Sequence, residues 1–194
     1  RAETEEEDKP SEPKLSGLAS LDLRLKKSGD AFVASGWVEL EDLAAAGTLA
    51  GAHARVGFDL KEDQATVDIR LKAGEQVVLI SEGQVPLSQA DGAVAVDCDG
   101  QMDLRTVVPA LKLSRLAKQV PALAGTDGRV SMDLWAKGRA CDPDLTLVAA
   151  SDAPVGSQGE RARVDLELKR IGDKVVLKTT LEEDQKRLAR VDSE

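Results

Sequence analysis

The chain has 194 residues, a formal net charge of −9, 42% hydrophobic residues and only 2% aromatic ones, with no Tyr. Lys and Arg are interleaved with Asp and Glu and form no basic stripe, which argues against a surface for nucleic-acid phosphates or anionic headgroups. No stretch nears the roughly 20 apolar residues of a membrane-spanning helix, and Leu, Val and Ala must build the oily side almost without large rings.

Residues 1–14 open Arg1-Ala2-Glu3-Thr4-Glu5-Glu6-Glu7-Asp8, carry Pro10 and Pro13, and read as an acidic, solvated linker. With neither Met nor apolar leader at its start, the chain is expected to be a piece of a longer or processed protein. From Leu15 the period becomes two, the mark of strands with one buried face. Leu21, Leu23 and Leu25 alternate with Asp22, Arg24 and Lys26, then turn at Ser28-Gly29-Asp30. The Ala-rich residues 40–52 predict a short helix or wide turn. Val56, Phe58 and Leu60 lead to a turn at Lys61-Glu62-Asp63-Gln64, and Val67, Ile69 and Leu71 return towards Gly74.

Val77 to Ile80 is a short apolar run, and Val94, Val96 and Cys98 lie between Asp91-Gly92 and Asp99-Gly100. Residues 103–119 carry Leu104, Leu111 and Leu116 at helical spacing with Pro109 between them, predicting a helix of one or two turns across the sheet's end. Strands follow at Val130, Met132 and Leu134, at Leu145 and Leu147, and at Val164, Leu166 and Leu168. After Gly172-Asp173, Val175, Leu177 and Leu181 complete the set, and the charge run 182–194 reads as a helical or frayed tail. The Asp-Gly and Gly-Asp pairs tolerate positive φ and favour tight hairpins. The expectation is all-β: roughly ten to twelve strands over 15–181, in one elongated, curved, antiparallel sheet with one or two short helices.

Catalytic chemistry is hard to find. The only histidine, His53, sits between Ala52 and Ala54 and reads as a turn or strand residue. One His and two distant Cys offer no ligand spacing for zinc or copper. Cys98 follows Val94 and Val96 on the apolar side and reads as a free, packed thiol, with a disulfide to Cys141 as the alternative. Asp97-Cys98-Asp99-Gly100 resembles the start of a calcium loop, but Met102 and Val108 occupy the positions needing Gly and a carboxylate, so it reads as a turn. Gly156-Ser157-Gln158-Gly159 lacks nucleophile-elbow spacing. No catalytic residue, metal site or cofactor is expected.

The run from Gly83 to Leu147 resembles the C-terminal part of the TamB family, within the AsmA-like group. The resemblance rests on Val85-Pro86-Leu87 after Gly83, the Asp103-Leu104 to Pro109 segment, Gly128-Arg129-Val130, Gly138, and Asp142-Pro143 opening the next strand. Arg139-Ala140-Cys141 stands where a Thr-Leu-like pair would follow the Gly. The family implies a β-taco, a rod of strands curled around an open apolar groove. It would be anchored in the inner membrane and reach through the periplasm to an outer-membrane barrel partner. Its cargo would be phospholipid.

The groove would be lined by Val56, Phe58, Leu60, Val67, Ile69, Leu71, Val94, Val96, Val130, Met132, Leu134, Leu145, Leu147, Val164, Leu166 and Leu168. These are expected on the concave side, sheltering acyl chains. A rival reading is an assembly factor whose strand edges template an incoming β-strand; a third is a closed sandwich or solenoid acting as a support. A transmembrane barrel is disfavoured, because two Trp and two Phe cannot make aromatic girdles.

Overall fold

A computed structural model describes residues 15–28, 31–45, 49–61, 63–90, 93–118, 120, 125, 127–155, 160–183 and 186–193. The acidic segment 1–14 lies outside the described residues, as do Gly156 to Gly159. In chain order come β1 (Leu15–Ser28), β2 (Ala31–Ala45), β3 (Leu49–Lys61), β4 (Gln64–Ala73), β5 (Gln76–Ala90) and β6 (Ala93–Val96). Then follow β7 (Gln101–Lys112), α1 (Leu113–Leu116), β8 (Arg129–Arg139), β9 (Asp142–Val155), β10 (Glu160–Ile171), β11 (Lys174–Glu183) and β12 (Lys186–Ser193).

The strands form one open, antiparallel, 12-stranded sheet in the order β1-β2-β3-β4-β5-β7-β8-β9-β10-β11-β12, with β6 paired to β5 off that path. Sequential hairpins dictate this order, since each strand's cheapest partner is its neighbour in the chain. The sheet does not close on itself.

Three segments depart from the expectation. Residues 40–45 end β2 and 49–52 begin β3, with register shifts at Leu40/Leu43 and Leu43/Ala45, while 46–48 lie outside the described residues. Ala52 is only 1% exposed opposite Ala73, where a small side chain suits close strand packing. Residues 103–112 are strand, and the helix shrinks to α1. There the alternation Met102, Leu104, Thr106, Val108 wins over the wider Leu spacing, and Pro109 falls at a register shift between Val108 and Leu111, where a missing donor is tolerated. The charge run 182–194 contains β12.

Buried hydrophobics among the described residues are Ala34, Ala52, Ala73, Leu111, Leu116 and Ala136, and no large side chain falls below 2% exposure. That is too little burial for two packed layers. Among the described residues one buried cluster lies where α1 crosses an end of the sheet: Leu116 packs with Leu111 and Ala73, flanked by Val78, Val108 and Val130.

Candidate apolar face

Directly paired residues of neighbouring strands share a face, so register carries a face across the whole sheet. Start at Leu21. It pairs Val38, which pairs Val56, then Ile69 and Ser81. Ser81 pairs Thr106, and the row runs on through Leu134, Leu147, Leu168 and Leu177. The row one residue along is the other face: Asp22, Trp37, Gly57, Asp68, Glu82, Arg105, Trp135, Thr146, Lys169 and Val176.

Every residue of the expected lining lies on the first face. Val56, Phe58 and Leu60 pair Ile69, Val67 and Ala65, and Ala54 pairs Leu71. Val130, Met132 and Leu134 pair Ser151, Ala149 and Leu147, while Ala136 pairs Leu145. Val164, Leu166 and Leu168 pair Ser151, Ala149 and Leu147 from the other side. Val96 pairs Leu87, which continues the alternation of Val85, so Val96 and Val94 extend the same face onto β6. Sequence periodicity missed Val38, Leu79, Val85, Leu104 and Val108 as members of this face. Only pairing assigns them, because bulges and neighbouring polar residues blur their local beat.

Nine interstrand steps of about 4.8 Å, from β1 to β11, with apolar rows some 20 Å long, give a face on the order of 900 Å². Monomers rarely leave more than about 300–600 Å² of contiguous apolar surface uncovered. Most central side chains on this face are half-buried by their neighbours, whereas on β1 Leu21 and Leu25 stand 65% and 68% exposed.

Within the oily field one polar pair is satisfied internally: the Ser81 and Thr106 hydroxyls share a hydrogen bond of 2.8 Å. Beside it Gly83 lets β5 and β7 approach. A Cβ there would lie 2.7 Å from Leu104 Cα and run into the Asp103 carbonyl.

The second face is mixed and carries the paired charges. The Arg105 guanidinium donates to both Asp133 oxygens at 3.0 and 2.5 Å and lies 5.2 Å over the Trp135 ring; that hydrogen bond raises the Arg105 pKa above its ordinary value. Arg55 stands likewise 5.3 Å over Trp37. Both tryptophans therefore serve as platforms for arginine on the wet side. Glu167 accepts from Lys169 at 2.7 Å with Lys178 at 3.8 Å, and the hydrogen bond, then the two charges, hold its carboxyl below the usual range.

An open depression of about 1050 Å³ spans β2–β5, lined mostly by the charged face, with Trp37, Arg55, Asp68 and Arg70 among its walls. The hollow was expected on the side of Val56, Phe58, Leu60, Val67, Ile69 and Leu71, and of these only Phe58 borders it. The hollow therefore opens on the charged side of β2–β5 rather than on the aliphatic one. His53 lies on β3, its Nε2 3.9 Å from Asp42 Oδ1.

Cys98 departs from the expected free thiol. It sits in the exposed link between β6 and β7 and is bonded to Cys141 of the β8–β9 link, their Cα atoms 4.6 Å apart. The reason is register: β7 begins at Gln101 opposite Arg139, so the links before β7 and after β8 leave the sheet side by side. Asp97 to Gly100 form a turn, with the Gly100 N–H donating to the Asp97 carbonyl at 3.2 Å. Among the described residues no three His, Cys, Asp or Glu side chains cluster to hold a metal, and no helix is long and apolar enough to cross a membrane. Comparison with family models, with curated proteins and with solved structures finds no match.

Proposed function

We propose that this chain is a segment of a TamB-like, AsmA-like envelope protein whose aliphatic face carries phospholipid acyl chains between inner and outer membranes. The observation that carries the reading is the mostly aliphatic face, one side of an open sheet from β1 to β11, broken at its centre by the Ser81–Thr106 pair and backed by a face that carries the paired charges. Each CH₂ removed from water contributes about 0.8 kcal/mol, so a chain of about sixteen carbons gains on the order of 12 kcal/mol when wholly covered and roughly half of that on an open face. Binding is nonspecific in chemistry and continuous in space, which suits sliding rather than capture. The chain acts as a surface and not as a catalyst. The parent protein would be held in the inner membrane by another part, work in the periplasm, and meet an outer-membrane barrel at its far end.

Photo-crosslinkers placed at Val96, Met132 or Leu166 in the parent protein should capture phospholipid in cells, whereas those at Asp133 or Glu167 should not. Equal capture from both sets would end the reading. A second reading, assembly of β-proteins by strand addition, draws on the edges: among the described residues β1 and β12 each pair on one side only.

A further inference from the structure

We propose that the Cys98–Cys141 disulfide is a redox clasp, closed only in an oxidising compartment, that fixes the point where β5 leaves the main sheet for β6. The strand β5 has two successive partners on one side: Ile80 to Gln84 pair β7, then Leu87 to Ala90 pair β6. Between them Pro86 is buried against the turn that carries Cys98, and a Cβ on Gly100 would lie 2.8 Å from its Cγ. The noncovalent hold on this turn is thin. The Asp97 N–H donates to the Pro86 carbonyl at 3.0 Å, the Ala140 N–H to the Gly100 carbonyl at 3.0 Å, and the Cys141 N–H to the Cys98 carbonyl at 3.4 Å. An exposed Arg139–Asp99 ion pair adds little. Val96 is 49% exposed, so apolar packing does not seat the end of β6 either.

The bond therefore supplies what packing does not. It ties the root of β6 to the β8–β9 link, and so keeps Leu87 and Val96 in line with the aliphatic face. Closure is thiol–disulfide exchange with a disulfide donor, such as an oxidoreductase or oxidised glutathione. One cysteine thiolate attacks the donor disulfide, giving a mixed disulfide and one donor thiol. The second thiolate then displaces the other donor thiol and forms the Cys98–Cys141 bond. The two cysteines are oxidised, the donor disulfide is reduced to two thiols, and the cysteine protons pass to solvent and to the departing thiolates. Both cysteines are exposed, as the exchange requires. The proposal stands apart from the lipid reading, since it concerns only the turn and its redox state.

The test is the chain refolded with a glutathione redox pair, followed by thiol alkylation and amide hydrogen exchange, compared with the same chain reduced by a phosphine and with C98S/C141S. We expect no alkylatable thiol in the oxidised chain. Loss of the bond should speed exchange at Asp97, Gly100, Ala140 and Cys141 (or its serine) at least tenfold, while amides of β3, β4 and β10 keep their rates. Free thiols in the folded, oxidised chain would overturn the proposal. So would unchanged exchange at those four amides, which would make the bond an ornament on an already rigid corner. Loss of protection throughout the sheet on mild reduction of the folded chain would equally overturn it, by making the bond a condition of folding rather than a local clasp.

Discussion

At Gly83 a methyl group decides whether two strands can pair. Its Cβ would meet the backbone of β7 rather than a movable side chain, so Gly83→Ala should push β5 from β7 or break the Ser81–Thr106 hydrogen bond. Overpacking of this kind costs roughly 1–3 kcal/mol, readable as a lowered midpoint in urea; an unchanged midpoint would show that the strands part freely there. The second residue-scale test concerns Glu167, whose carboxyl is held below the usual range by the hydrogen bond from Lys169 and then by the Lys169 and Lys178 charges. A depressed carboxyl favours the folded state above its ordinary pKa, and that contribution is lost as pH falls through the depressed value. A carboxyl NMR titration should therefore place the Glu167 midpoint below that of a free glutamate, and Lys169→Gln should move it upward. Neither effect was visible in the sequence. Gly83 read only as part of a short motif, and the partners of Glu167 include Lys178, one strand away.

Among elements, the strands were legible because period two survives in nearly all of them: Leu21, Leu23, Leu25 and Val164, Leu166, Leu168 alternate with charges without interruption. What local pattern could not supply was pairing. The Cys98–Cys141 contact spans 43 residues and depends on β7 meeting β8 in one particular register, a property of two strands together. The segment 103–119 misled for a different reason. Leu104 and Leu111 are seven apart, which suits a helix, but a bulge between Val108 and Leu111 gives the same spacing to a strand that keeps both on one face. Only its end turns helical, where α1 brings Leu116 over Ala73 and Leu111. That short element closes this cluster, so Leu116→Ala should cost about 2–3 kcal/mol, at the low end for a buried leucine because the site lies at the sheet's end and can collapse. Exchange rates of Ala73 and Val130 amides would rise if so; rates that stay fixed would show α1 resting on the sheet without holding it.

For the whole molecule, the choice between surface and scaffold turns on the centre of the sheet. Leu134 and Leu147 are paired at that centre, with Thr106 and Leu168 beside them in the same row. A Lys at either position places a cation in the path of any acyl chain moving along the aliphatic face. An unpaired charge pressed into an apolar contact costs several kcal/mol, although the Lys stem can snorkel towards the rim and soften the block. The open fold makes this test clean: both side chains are only half-buried, so the substitution leaves the backbone ladder intact and the protein should still accumulate. If the face conducts lipid, Leu134→Lys or Leu147→Lys in the parent protein should reduce phospholipid transfer at least several-fold at unchanged protein level. A scaffold that works through strand edges should tolerate both and fail instead when Pro replaces Ala19 in β1, where it can deny a ladder donor to an incoming strand or to β2. Normal transfer by a well-folded, charge-bearing face would end the conduit reading and leave strand addition as the account of this sheet.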